Sequence, residues 1–126
     1  MKNKMTNLFT LNGVVPSKKN AWRRGKNGNV YVNDQIQADI DALVIQARVY
    51  LNRMGHAIPK GDSLEIWLYF WVKKMNKDLD NMVSTLLDVL QKGQIVENDK
   101  LFHCIHAEQN IGPSEKVDIR IEVIHK

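Results

Sequence analysis

Asp78-Leu79-Asp80-Asn81 sets two carboxylates two residues apart, and Glu97-Asn98-Asp99 supplies a second acidic point. In extended backbone, side chains at i and i+2 point the same way, so Asp78 and Asp80 can address one cation. A hard divalent ion such as Mg²⁺ takes oxygen ligands from one to three carboxylates and keeps waters for the rest, which suits Asp78, Asp80 and Asp99 if they converge. Plainer uses exist: Asp80, or Asp78 just upstream, as a helix N-cap, and Glu97-Asn98-Asp99-Lys100 as a surface turn. The company of these acids favours the metal. Lys73, Lys74 and Lys77 precede them, and Lys18, Lys19, Arg23 and Arg24 occupy an earlier basic segment. Carboxylates that hold a metal beside cations that hold phosphates are what metal-assisted phosphodiester hydrolysis needs. The ion polarises the phosphate and acidifies a bound water, and Lys or Arg offsets charge on the developing oxygens. A protein that only binds phosphate gains nothing from carboxylates facing it.

The distribution of charge points to a polyanion. The 126 residues carry a net charge of +4, yet residues 1–33 hold seven Lys and Arg and no acid, so the remainder is net acidic. Nucleic acid is the first candidate partner for such a basic segment, with a solvated basic loop as the plainer alternative. Hydrophobic residues at 44% and charged residues at 25% suffice for one core and argue against disorder. Length and composition lead us to expect a single domain over 1–126. No apolar run nears the ~20 residues of a membrane helix, and Met1 to Met5 lead into no signal-peptide core, so a soluble cytoplasmic protein is expected. The lone Cys104 has no partner for an internal disulfide.

These residues need elements to position them. Leu8 to Val15 reads as a first strand ended by Pro16, and Ser17 to Asn29 as a long polar loop. Ile36, Ile40, Leu43, Val44, Ala47, Leu51 and Met54 recur at helical spacing after a cap at Asn33 or Asp34, with Gly55 as the stop. Ser63 to Lys74 is a strand apolar on both faces, Leu64, Ile66, Leu68, Phe70 and Val72 on one and Trp67, Tyr69 and Trp71 on the other. Such a strand is central, covered on each side by helix or by a partner chain. Leu79, Met82, Val83, Leu86, Leu87 and Leu90 mark a second helix closed by Gly93. Leu101 to Glu108 and Val117 to Ile124 are strands around a turn at Gly112-Pro113. The expected order is β-α-β-α-β-β, a small α/β (α+β) fold with a mixed sheet and two main helices.

Other constellations are weaker. His103, Cys104 and His106 read as a soft-metal cluster, but strand alternation sets His103 opposite the other two, and Cys104 is expected to fill core as a small hydrophobe. A glycine-rich phosphate loop and a GxSxG element are both missing. Trp22 could stack on an exposed base or bury against the sheet.

Val15-Pro16-Ser17-Lys18-Lys19-Asn20, Tyr31, Asp78-Leu79-Asp80-Asn81, Leu87-Asp88-Val89-Leu90 and Val96-Glu97-Asn98-Asp99 together resemble the RusA family of Holliday-junction resolvases, common in phages and prophages. The match runs from about residue 11 to the C-terminus, and its most specific part is the DxDN segment with a DxL after it and an acidic pair further on. The resemblance implies a homodimeric crossover junction endodeoxyribonuclease of DNA recombination and repair, dependent on Mg²⁺, or Mn²⁺ in its place. Such an enzyme cuts four-way DNA by paired incisions, with Asp78, Asp80 and Asp99 as metal ligands. Lys18, Lys19, Arg23, Arg24, Lys73 and Lys77 are then the expected DNA contacts. One position departs from the family: a Lys usually stands four residues after the second Asp, and here it is Ser84. If extended backbone continues through Asn76, Lys74 shares a face with Asp78 and is the local substitute for that charge. The alternatives are a non-catalytic DNA-binding protein on the same scaffold and, more weakly, an RNA or single-strand nuclease.

Overall fold

A computed structural model describes residues 7–17, 22–24, 30–32, 34–54 and 63–124. Its elements are β1 (Asn7–Asn12), β2 (Trp22–Arg24), β3 (Val30–Val32), α1 (Asp34–Met54), β4 (Ser63–Val72), α2 (Leu79–Lys92), a 3-10 turn (Asp99–Leu101), β5 (Phe102–Ile111) and β6 (Lys116–Ile124). Four strands form a mixed sheet in the order β1-β6-β4-β5, with β4 and β5 parallel and the other pairs antiparallel. This is the expected α+β architecture with two main helices. The alternation of β4 is visible as burial: Leu64, Ile66, Leu68, Phe70 and Val72 lie in the core with Ile40, Leu43, Ala47, Met82, Leu86, Val89 and Leu90 of the two helices. No helix among the described residues is long and apolar enough to cross a membrane.

Several boundaries move, each for a local reason. The first strand ends at Asn12 and not Val15, because Gly13 takes φ +123, a backbone state that side-chain-bearing residues rarely adopt. Val15 and Pro16 are nonetheless buried. Part of the expected loop pairs: β2 and β3 form a two-stranded ribbon with Arg23 opposite Tyr31. β4 stops at Val72, two residues early, and β5 runs on to Ile111, where the Gly112 N–H donates to the Val72 carbonyl at 2.9 Å.

Gly93 does end α2, and it does so through packing. Its φ is an ordinary −77, but a Cβ built there would stand 2.7 Å from the Ala47 Cβ of α1. The glycine lets the two helices meet; the left-handed residue of this turn is Gln94, at φ 65.

On the second face of β4, one of the two expected covers, helix, is missing among the described residues. Both helices pack on the Leu64–Val72 face, and Trp67, Tyr69 and Trp71 on the other are half-buried, with no helix over them among the described residues. Polar neighbours occupy the aromatics instead. The Arg120 guanidinium lies 4.5 Å from the Trp67 ring centre, the His106 ring stacks on Trp67 with ring centres 5.0 Å apart, and the Trp71 indole N–H donates to Asp118 at 2.9 Å. Trp carries both an apolar ring and a donor, so a strand rich in it suits a face that is only partly dry.

Candidate functional site

Asp78 and Asp80 sit where β4 has given way to α2. Asp78 is the N-cap residue, with extended backbone (φ −74, ψ 127), while Asp80 already lies in the first helical turn. The extended i, i+2 geometry expected for the pair therefore holds only at Asp78. What joins them is Asn81: its side-chain amide donates to Asp78 Oδ2 at 3.3 Å, and its backbone N–H donates to Asp80 Oδ1 at 3.0 Å. Asp78 thus holds the N-cap position of its plainer reading, but its side chain makes no capping hydrogen bond to the helix backbone. Both carboxylates are exposed. Two outward carboxylates with oxygen lone pairs to spare are a hard donor set, suited to Mg²⁺ or Mn²⁺.

The segment before them is braced from three sides. The Gln109 amide of β5 donates to the Lys77 carbonyl at 3.2 Å, the Lys77 ammonium donates to the Val15 carbonyl at 3.4 Å and lies 4.0 Å from Glu115, and the Lys73 N–H donates to Glu115 at 2.7 Å. Lys77, expected at DNA, is thus half-buried and occupied by the chain itself. Lys73 and Lys74 are exposed in the bend that precedes the acid pair in the chain. The extended run that would set Lys74 on the face of Asp78 is absent, since residues 73 and 74 form a bend. Ser84 is exposed one turn beyond Asp80 on α2. Asn81 and Gln109 are the positioning residues that sequence reasoning left without a role. Asn81 was in plain view inside the motif, whereas Gln109 acquires its part only through the β4–β5 pairing.

Asp99 is not brought to this pair within one chain. It opens the 3-10 turn before β5, whose first residue, Phe102, pairs with Leu64 at the start of β4. Asp78 follows the other end of β4, where Gln109 holds the preceding carbonyl. Phe102 to Gln109 alone spans about 23 Å at ~3.3 Å per residue, so the acids lie at opposite ends of the parallel pair. Of the remaining candidates, Arg23 and Arg24 form part of the β2–β3 ribbon, and Lys18 and Lys19 lie outside the described residues.

A second cluster emerges on the open face of the sheet. Between Leu64 and Glu65 the β4–β5 register shifts, Leu64 pairing with Phe102 and Glu65 with Cys104, so His103 is the extra residue of a bulge. The bulge turns Cys104 out of the core, where it was expected, and sets it beside Glu65. His106 Nε2 lies 2.6 Å from Glu65 Oε2 and 3.4 Å from Cys104 Sγ. The hydrogen bond to His106 holds Glu65 below the usual carboxylate range, while partial burial, then Glu65, pushes the Cys104 thiol up. His103 takes no part, as alternation implied. Glu65 is the member that sequence reasoning missed, because only strand register brings it there.

No family model matches the chain. It is similar to the crossover junction endodeoxyribonuclease RusA of Aquifex aeolicus, 28% identical over 104 residues, which covers 82% of this chain and 79% of that protein. This similarity agrees with the motifs of the sequence.

Proposed function

We propose that this chain is a divalent-metal-dependent endodeoxyribonuclease that resolves four-way DNA junctions, with Mg²⁺ as its ion. One observation carries the reading: in a RusA-like chain, Asp78 and Asp80 stand exposed at the start of α2, linked through Asn81, with the Asp78 side chain unused as a helix cap. The ion, when bound, polarises the scissile phosphate and supplies a hydroxide at neutral pH. Asp78 and Asp80 hold it, Asn81 fixes their orientation, and the brace of Gln109, Lys77 and Glu115 keeps the loop from drifting. Exposed Lys73 and Lys74 offset phosphate charge as DNA approaches, and Arg23 and Arg24 extend the grip along the β2–β3 ribbon. The open sheet face, with Glu65, Glu108, Asp118 and Glu122 against Arg120 and Lys116, repels phosphates, so DNA engages the end of the molecule where α2 begins.

The position of Asp99 bears on assembly. Because it lies at the far end of the β4–β5 pair, we take the third acid of each site to be Asp99 of the partner subunit in a two-fold dimer. A two-fold enzyme also matches the two opposed cuts that a junction requires. Such a protein works on DNA in the cytoplasm.

The decisive experiment is cleavage of a synthetic four-way junction with and without Mg²⁺, beside linear duplex and RNA. Paired nicks only with Mg²⁺, and only in the junction, are expected. Binding without cleavage would make the chain a junction-binding protein, and equal cutting of linear DNA or RNA would make it a general nuclease. Mixing Asp78→Asn with Asp99→Asn chains tests the shared site: mixed dimers regain one competent site and nick one strand, whereas a site within one chain regains none.

A further inference from the structure

Glu65, Cys104 and His106 offer one donor each of three kinds, and all three donor atoms lie within 4.8 Å of one another. Two arrangements bring a thiol, an imidazole and a carboxylate together. In a nucleophile relay the acid holds one ring nitrogen and the thiol faces the other. Here Glu65 Oε2 and Cys104 Sγ both approach the same nitrogen, His106 Nε2. Donors converging on a common point are instead what a small cation organises.

The donor spacing can be met by such an ion with a small adjustment. Bonds of ~2.3 Å to sulfur and ~2.0–2.2 Å to nitrogen and oxygen set tetrahedral ligand atoms about 3.3–3.6 Å apart. Cys104 and His106 already stand at 3.4 Å. Glu65, at 2.6 Å from His106, has to withdraw by less than ~1 Å, a small torsion for a side chain that is 29% exposed. We propose that Glu65, Cys104 and His106 form a binding site for a borderline-soft first-row cation of the Zn²⁺ class, separate from the hard-ion acids at α2.

The site is built on rigid backbone. All three ligands come from paired strands, the bulge at His103 aims Cys104 outward, and the His106 ring lies against Trp67 at an interplanar angle of 14°. Arg120, the cation nearest this group, is engaged by Glu122. Thiolate and carboxylate together neutralise a divalent charge, and the thiolate selects against Mg²⁺, which prefers oxygen. Three protein ligands leave one tetrahedral position on the face that no helix covers among the described residues. The site does not depend on the nuclease reading.

Metal-stripped full-length protein is titrated with Co²⁺ as a spectroscopic stand-in and then with Zn²⁺. One equivalent of Co²⁺ is expected to give a thiolate-to-cobalt charge-transfer band with tetrahedral visible bands; Zn²⁺ erases them and excess Mg²⁺ does not. Cys104→Ser should abolish the charge-transfer band, and Glu65→Gln or His106→Ala should weaken Zn²⁺ binding at least about tenfold, while Asp78→Asn/Asp80→Asn leaves the titration unchanged. No band in the unaltered protein, or binding lost with the α2 acids and not with Cys104, overturns the proposal. Should a variant fail to fold by circular dichroism, the unaltered protein still decides: Zn²⁺ should slow alkylation of Cys104 at least about tenfold, and an unchanged rate overturns the site.

Discussion

The two acid-bearing regions are built in opposite ways. Asp78 and Asp80 are neighbours in the chain, share one local residue, Asn81, and stand exposed at the end of a helix held by long-range braces to its preceding loop. Glu65 and His106 are 41 residues apart, meet only because β4 and β5 pair with a one-residue bulge, and rest on the inner strand β4 and the edge strand β5 of the sheet. The first arrangement is all oxygen and open to a large anionic substrate. The second mixes sulfur, nitrogen and oxygen on an acidic face that a phosphate backbone avoids. Under the two proposals, hard and soft cations are sorted by donor type and by place in the fold.

The largest effect that separates the two regions is loss of cleavage. Asp78→Asn or Asp80→Asn should slow single-turnover junction cleavage by at least about a thousandfold, with junction binding unchanged or tighter because a negative charge near phosphate is gone. The same should hold for Asp99→Asn. Cleavage by any of these variants at the normal rate removes that residue from the site.

The same contrast explains what the sequence could and could not reveal. A contiguous motif such as Asp78-Leu79-Asp80-Asn81 is legible because its spacing is chemistry in itself, and the periodicities that made β4, α1 and α2 are legible because burial enforces them. The Glu65 cluster is legible only in part: Cys104 and His106 share a face by alternation, but Glu65 joins them only through strand pairing, and a bulge at His103 decides which side of the sheet Cys104 faces. Alternation counted without the bulge, starting from buried Phe102, sends Cys104 into the core. For the same reason the convergence of Asp99 with Asp78 could be imagined from the sequence, whereas the parallel pairing of β4 and β5 sets them at opposite ends.

Next in size is Asn81→Ala. It removes the amide that orients Asp78 and leaves both carboxylates in place. The Mg²⁺ concentration for half-maximal cleavage should rise by about 10–100-fold, as for other contacts that orient metal ligands, and saturating Mg²⁺ should restore most of the rate. A rate that stays low at saturating Mg²⁺ would make Asn81 more than a positioning residue.

Gly93→Ala tests whether the acid site depends on helix packing while the sheet cluster does not. The added methyl meets the Ala47 Cβ and the Val89 carbonyl, 2.7 and 3.1 Å away, so α1 and α2 must part. Urea denaturation should show a loss of ~1–3 kcal/mol, and cleavage should slow several-fold as α2 shifts. Co²⁺ binding at Glu65, Cys104 and His106 should stay as it was. An equal loss in both would mean that the two regions are not mechanically separate.

The smallest expected effect concerns the charge that Ser84 does not supply. On α2 the residue four places after Asp80 lies on the same face and leans back toward the helix start, so a lysine there brings an ammonium toward a phosphate held at Asp78 and Asp80. Serine brings none. Lys77 cannot stand in, as its ammonium is drawn to the Val15 carbonyl and Glu115. Lys73 and Lys74 are exposed in the bend that follows β4, where solvent partly screens their charge. Such a charge contributes less than one held on a helix. Lys74→Ala should therefore slow cleavage only several-fold, and Ser84→Lys should speed it by a similar factor in the same Mg²⁺. The two changes combined should nearly cancel. A loss of about a hundredfold or more from Lys74→Ala would show instead that the bend fixes this lysine at the reacting phosphate, and that the acid site is more rigidly built than its exposure suggests.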